Sequence, residues 1–208
     1  MCVLQSARPG PYPDWMGFRP ATYEPIRTRR TLLRTMTLDD VDAVHEYQSD
    51  PEVCRYMLYE PRTREEVAAK VAQWQHHGRL ERDGDDLELA IDAVGAGVIG
   101  HLYFKLVSVD DLTAEIGWAL NPRYQGHGYA AEGASALLDY AFGGLGLHRV
   151  KAELDPRNAD SAALCRRLGM REEAHFVEDM WFKGAWGDTA VYAILDREWR
   201  ARSTDQQP

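Results

Sequence analysis

"PRYQGHGYA", Pro122 to Ala130, separates two apolar runs, "IGWAL" before it and "ASALLDYAF" after it. Two glycines one residue apart ask for a bare backbone. Glycine serves where the chain turns with positive φ, or where a ligand must come close to main-chain N–H groups. If a helix opens at Gly128 or Tyr129, its first-turn N–H groups are unpaired and the positive end of its dipole stands behind them. The stretch therefore reads as an anion site at the mouth of a helix.

Working outward, the residues on either side alternate in type. Ahead of the loop, Leu87, Leu89 and Ile91 alternate with Glu88, Ala90 and Asp92. "GAG" at 95–97 turns the chain, and Val98 to Val107 and Thr113 to Leu120 continue as strands around Asp110 and Asp111. Behind the loop, Ala134, Leu137, Leu138, Ala141 and Phe142 form one helical face, and Val150, Ala152 and Leu154 alternate again. A strand, a glycine turn, a helix and a strand make the flanking strands parallel, with the turn at the carboxyl end of the first.

Further upstream, a strand is expected from Ile26 through Thr35. Thr37 with Asp40, and Thr63 with Glu66, have the spacing of capping boxes. The second opens a helix with Val67, Val71 and Trp74 on one face, and Gly78 supplies its stop. Downstream, "NADSAALCRRLG" reads as a short helix with Asn158 near its cap, Leu164 and Leu168 inward and Gly169 closing it. Strands over 171–183 and 189–195 then flank a turn at "GAWGD". Five of the ten prolines fall in the first 25 residues, so 1–25 reads as an arm, 26–200 as one domain and 201–208 as a flexible tail.

With 208 residues, 45% hydrophobic and 27% charged, the composition fits one filled core. No run approaches the roughly 18 to 20 apolar residues of a membrane span, and the first residues lack a secretory pattern, so a cytoplasmic protein off the membrane is expected. Cys2, Cys54 and Cys165 are far apart and form no C-x-x-C pair, and adjacent His76 and His77 diverge around a helix, so no metal site is expected. A net charge of −9 opposes nucleic acid and favours cationic partners.

The loop lacks the G-x-G-x-x-G of dinucleotide folds and the G-x-x-x-x-G-K-[ST] of Walker loops. "RYQGHG" does match the R/Q-x-x-G-x-G/A signature of the GNAT acyltransferase superfamily. "NADSAALCRRLGM" resembles that family's N-x-x-S helix. "WFKGAWGDTAVYAILDREW" resembles the closing strand pair of its ribosomal-protein N-terminal acetyltransferase branch. The resemblance spans roughly Ile26 to Trp199. It implies an α/β fold with a mixed, mostly antiparallel sheet of about seven strands flanked by helices. In that fold a splayed parallel strand pair holds acetyl-CoA.

Carried over residue by residue, the resemblance places the pantetheine arm along Trp118, Ala119 and Leu120. The diphosphate falls on Arg123, Gln125, Gly126, His127, Gly128, Tyr129 and Ala130, with further CoA contacts from Asn158, Ser161 and one of Arg166 and Arg167, Arg166 being preferred. Glu115 matches a catalytic carboxylate and Ser161 a proton donor to the leaving thiolate. Each has a plainer alternative: a structural hydrogen bond to a neighbouring loop for Glu115, helix-start caps for Asn158 and Ser161. A carboxylate specific to the ribosomal branch would fall at Met180, where this chain has none. Glu178 shares the face of Met180 in a regular strand, and Asp179 points the other way.

At pH 7 an α-amine of pKa near 8 is about one-tenth neutral, and a lysine only about one part in a few thousand. The missing carboxylate thus favours a peptide α-amine, or a small amine of lowered pKa, over a lysine, and a peptide or protein α-amine is the expected acceptor. Aminoglycosides or polyamines are the alternative acceptors, and a non-catalytic CoA-binding module is the alternative class. Monomer and homodimer are both compatible with the sequence.

Overall fold

The computed structural model describes residues 17–205. In chain order the elements are β1 (Ala21–Thr22), β2 (Ile26–Arg27), β3 (Thr31–Thr35), α1 (Val41–Gln48), α2 (Pro51–Cys54), α3 (Arg64–Trp74), β4 (Arg79–Leu80), β5 (Asp86–Ala93), β6 (Gly97–Ser108) and β7 (Thr113–Leu120). After these come α4 (Tyr129–Asp139), β8 (Arg149–Leu154), α5 (Ala159–Arg167), β9 (Arg171–Phe182), β10 (Ala185–Leu195) and α6 (Asp196–Asp205). Eight strands form one sheet in the order β2-β3-β5-β6-β7-β8-β10-β9, and β1 pairs with β4 separately. Every neighbouring pair in the large sheet is antiparallel except β7 and β8.

Both faces of the sheet are covered. Leu87, Leu89 and Ile91 of β5 are fully buried in the larger core with the Ala134, Leu137, Leu138, Ala141 and Phe142 face of α4 and the π-helical turn that follows it. Ala90 and Ala119, on the opposite face, pack with Val44 and Tyr47 of α1 and Val67, Val71 and Trp74 of α3. Both capping boxes form, Thr37 with Asp40 and Thr63 with Glu66. The first opens a 3-10 turn, Leu38–Asp40, that leads into α1.

Several details differ from the sequence reading. The strand expected over 26–35 breaks into the hairpin β2–β3, because Thr28 takes the Thr31 N–H on its hydroxyl and donates its own N–H to the Thr31 carbonyl. This adds a strand to the expected seven. Helix α3 ends at Trp74, short of Gly78, whose carbonyl instead accepts the Tyr23 N–H. In α5 the inward residues are Ala162, Cys165 and Leu168, whereas Leu164 is only partly buried.

The last hairpin turns at Lys183 and Gly184 (φ 49° and 78°), the two positive values that a tight hairpin of this hand requires, and not at "GAWGD". Trp186 lies directly opposite Trp181, with their ring centroids 5.4 Å apart. Phe176 faces Thr189 and Met180 faces Gly187, so three residues of β9 stand opposite Asp188 alone. Glu178 sits in that bulge with φ 51°, exposed, its N–H donated to Asp188. Regular alternation does not place it beside Met180.

Of the N-terminal segment, the described part from Gly17 lies on the domain: β1 pairs with β4, Tyr23 is buried, and the Arg19 side chain reaches the Gly143 and Gly144 carbonyls. Residues 201–205 of the expected tail continue α6. The remainder of both terminal segments, 1–16 and 206–208, and with it Cys2, falls outside the described residues. No helix among the described residues is long and apolar enough to cross a membrane.

Candidate active site

The parallel ladder between β7 and β8 is short. Thr113 pairs with Arg149, Ala114 with Val150 and Glu115 with Lys151, and there it stops. Strand β7 runs on to Leu120 beside β6, while β8 runs on to Leu154 beside β10. Beside the freed end of β7, and lined also by the start of α4 and by α5, lies a cleft of about 570 Å³. From Ile116 onward the β8 side of β7 has no ladder partner, an edge against which an extended amide-bearing ligand can pair.

The glycine loop forms one wall. Buried Asn121 accepts the Arg123 N–H and starts a 3-10 turn, Pro122–Tyr124, and Gln125 donates its side-chain amide to the Leu120 carbonyl. Gly126 and Gly128 then take φ of 77° and 81°, and left-handed Gly128 is the N-cap of α4. A side chain at either would be strained, which is why both are glycine. The first-turn N–H groups of α4 open on the cleft with the helix dipole behind them.

A second cation-bearing element reinforces this wall, and the sequence reading missed it. The Arg30 guanidinium lies 4.3 Å from the centre of the Tyr129 ring, donates one N–H to the His127 carbonyl and another to Glu132 of α4. Its third nitrogen is 3.6 Å from where a β-carbon on Gly128 would stand. Glu132 also accepts the Thr28 hydroxyl and the Arg30 N–H. Burial raises that carboxyl, but these bonds outweigh it and hold it below the usual range, so it is a fixed anion that anchors the arginine. The partners are about a hundred residues apart in sequence, and no local spacing could have joined them.

The family described as Acetyltransferase (GNAT) domain matches residues 30–171. The chain belongs to the GNAT acetyltransferase family. Among relatives, the uncharacterized N-acetyltransferase YnaD of Bacillus subtilis (strain 168) is 36% identical over 176 residues, covering 84% of this chain and 98% of its own. A GNAT-family acetyltransferase of Bacillus anthracis superposes with a TM-score of 0.76 at 32% identity, covering 84% of this chain and 100% of that one. The fold is shared by the spermidine N-acetyltransferase of Vibrio cholerae, solved with CoA and spermine, at a TM-score of 0.70 and 22% identity over 82% of this chain and 98% of that one.

In this GNAT acetyltransferase the acetyl-CoA donor fits the observed cleft: an unpaired strand edge for an amide-bearing arm, and an anion wall for a diphosphate. Trp118, Ala119, Leu120, Gln125, Gly126, Gly128, Tyr129, Ala130, Asn158 and Ser161 all line it. Three other expected contacts do not. The Arg123 side chain turns away to Glu46 at 2.8 Å. His127 is not part of the lining, and its carbonyl is taken by Arg30. Arg166 points to the Tyr192 hydroxyl of β10, and its neighbour Arg167 lines the cleft instead, because one step along α5 rotates the side chain by about 100°.

Ser161 and Asn158 combine both of their readings. The Asn158 side-chain oxygen caps α5 by accepting the Ser161 N–H. The Trp118 indole donates to the Ser161 hydroxyl oxygen at 3.2 Å, so the hydroxyl's own proton is left to point elsewhere. Glu115, at the last parallel pair, faces the Lys151 ammonium at 3.3 Å. On the far lip, Glu52, Val53, Tyr56 and Met57 come from α2 and the residues after it, a four-residue helix started by the Asp50 cap and Pro51 that the sequence reading did not resolve. The hairpin tip is tied to this lip, Lys183 donating to the Cys54 carbonyl. Among the described residues no group of three metal-ligating side chains converges.

Proposed function

We propose that this acetyltransferase moves the acetyl group of acetyl-CoA to the α-amine of a peptide or protein by direct attack in a ternary complex. The observation that carries the reading is that one continuous cleft is lined by the phosphate loop, by the Trp118–Ser161 pair and by the α2 lip. Donor and acceptor can meet there without a covalent enzyme intermediate. Gly126, Gly128, the α4 N-terminus and Arg30 hold the diphosphate, and the freed edge of Trp118 to Leu120 holds the pantetheine amides. Ser161 protonates the departing thiolate. Met180 in place of the branch's carboxylate supports an acceptor that is already partly neutral, which an α-amine is.

A small cationic amine is the second reading, favoured by the fold shared with a spermidine acetyltransferase along 98% of that chain. CoA release is to be measured with free and N-terminally blocked peptides, polyamines and aminoglycosides. Release with the free-amine peptide and none with its blocked, lysine-bearing form supports the first reading. Release with spermidine or an aminoglycoside alone replaces it by the second.

A further inference from the structure

Beneath α1 and α3 the sheet carries a polar cluster outside the cleft wall. Glu88 of β5, Tyr103 of β6 and Gly117 of β7 stand opposite one another in one lateral row. Laterally paired residues share a face, and this is the face that carries Ala90 and Ala119 toward the helices. Gly117 belongs to the stretch of β7 freed from β8 and directly precedes Trp118, which lines the cleft. With strands about 4.8 Å apart, the Glu88 backbone is about 10 Å from it. Tyr103 stands between them in the row, its ring 3.6 Å from where a Gly117 β-carbon would be.

The Glu88 carboxyl is held in a frame. The Tyr47 hydroxyl lies 2.8 Å from His101 Nδ1, and the imidazole packs against the rings of Tyr47 and Trp74. Burial pushes His101 down to about 4 and the Tyr47 phenol well above its usual value, so the ring is neutral and the phenol keeps its proton. In the Nε2–H tautomer Tyr47 donates to Nδ1, and the Nε2 proton faces Glu88 Oε2, 3.9 Å away. That oxygen is buried without a hydrogen-bond partner, and so are the Tyr59 hydroxyl and the Gln48 amide nitrogen above it. A buried acceptor this poorly satisfied in a folded core is costly unless it serves a purpose.

We infer that Glu88 accepts the proton of the incoming amine, relayed along the row through Tyr103, and that Tyr47 and His101 position it. This rests on the transferase reading above. The acceptor arrives as an ammonium. Its N–H proton passes to the Tyr103 hydroxyl as the Tyr103 proton passes to the Glu88 carboxylate, so one N–H bond breaks and one O–H bond forms. The freed nitrogen lone pair makes the C–N bond to the acetyl carbon while the C–S bond breaks. The second amine proton replaces the one Ser161 gives to sulfur. Amide and CoA thiol leave, Glu88 releases its proton to water, and no redox change occurs.

Groups facing Glu88 from each neighbouring element suit that task. Burial first, then the Asp86 charge, raises the carboxyl to about 8, while Arg62 and Lys70 of the α3 side pull it down. Tyr103, raised by burial and by Glu115, Asp86 and Glu88, remains a phenol able to donate. Glu115 lies on the same face, but its charge is already met by Lys151.

The test compares kcat and KM with an acceptor and with its aminooxy counterpart, whose nitrogen is neutral throughout the working pH range. The acceptor is an α-amine peptide or spermidine, whichever the wild type acetylates faster. Glu88→Gln should lose about 10²- to 10³-fold in kcat with the ordinary amine and lose the rising limb near pH 8. It should keep the acetyl-CoA KM and stay within a few-fold of wild type on the aminooxy acceptor. Tyr103→Phe should show the same split at smaller size, and it carries the test if Glu88→Gln does not fold. An equal loss on both acceptors, or an unchanged pH profile, overturns the inference alone. No CoA release by wild type with either acceptor, while acetyl-CoA still raises its Tm, fails the transferase reading and this inference with it.

Discussion

Arg30 uses one guanidinium to brace the loop carbonyl at His127, to anchor on Glu132 and to bring positive charge to Gly128. Arg30→Ala should raise the acetyl-CoA KM about tenfold to a hundredfold, the scale of one lost charge-assisted contact. The discriminating measurement uses S-acetylpantetheine, which has no diphosphate. If Arg30 binds phosphate, its loss narrows the preference for acetyl-CoA over the short donor. A preference ratio unchanged by Arg30→Ala shows that the residue only braces the loop. Ser161→Ala should cost tenfold to a hundredfold in kcat with little change in the acetyl-CoA KM, and an unchanged kcat at pH 7 removes it as the acid. Glu88 adds a test in the absence of substrate. Its folded pKa lies above that of the unfolded chain, so the native state binds the extra proton and stability should fall as pH rises from about 4.5 through about 8. Glu88→Gln should flatten that decline in Tm.

At the level of elements, the β3–α1 junction depends on Arg34. It donates to both oxygens of Asp40 and to Asp92 on β5. Burial alone would raise the Asp40 carboxyl, but Arg34 and the Thr37 N–H outweigh it and hold it below the usual range. Because the folded pKa is depressed, the stabilisation is fully present above the unfolded value near 4 and is lost as pH falls through the folded one. Arg34→Met leaves a buried carboxylate without its counter-ion and should cost about 3–5 kcal/mol at pH 7. The gap in Tm from wild type should narrow toward pH 3, where Asp40 is protonated in the variant. A gap that is constant with pH would attribute the loss to packing. The capping boxes at Thr37 and Thr63 were legible because their partners are three residues apart. The hairpin tip was not, since either "KG" or "GAWGD" can turn a chain. The Trp181–Trp186 pairing across the strands chose between them.

For the whole molecule, acetyl-CoA at about a hundred times its Kd should stabilise the native state by about 2.7 kcal/mol, a Tm shift of roughly 5 to 10 °C. Gly128→Asp, which puts a carboxylate at the anion wall, should remove the shift while leaving the protein folded, and a retained shift would move the donor site elsewhere. The chain's net charge of −9 gives the acceptor a field to follow. The KM of a cationic acceptor should therefore rise with ionic strength as the Debye length falls to about 8 Å, with kcat moving less. A KM independent of salt would show that contacts inside the cleft, not the surrounding field, select the acceptor.

The sequence by itself determined the order of the main strands and helices, the parallel β7–β8 pair around the loop, and half of the cleft-lining residues. The elements follow from period, capping distance and positive-φ glycines, all of which act within a few residues, and the cleft residues from the resemblance of the motifs to the GNAT family. Only the tertiary structure decided which side chains answer one another across the sheet. Arg30 meets Glu132, Trp118 steers Ser161, Arg167 and not Arg166 faces the cleft, and Glu88 is enclosed beside His101. Such pairings depend on strand order and register, and on the burial that desolvates a carboxyl once two helices close over it. None of these has a signature in the linear spacing of the residues.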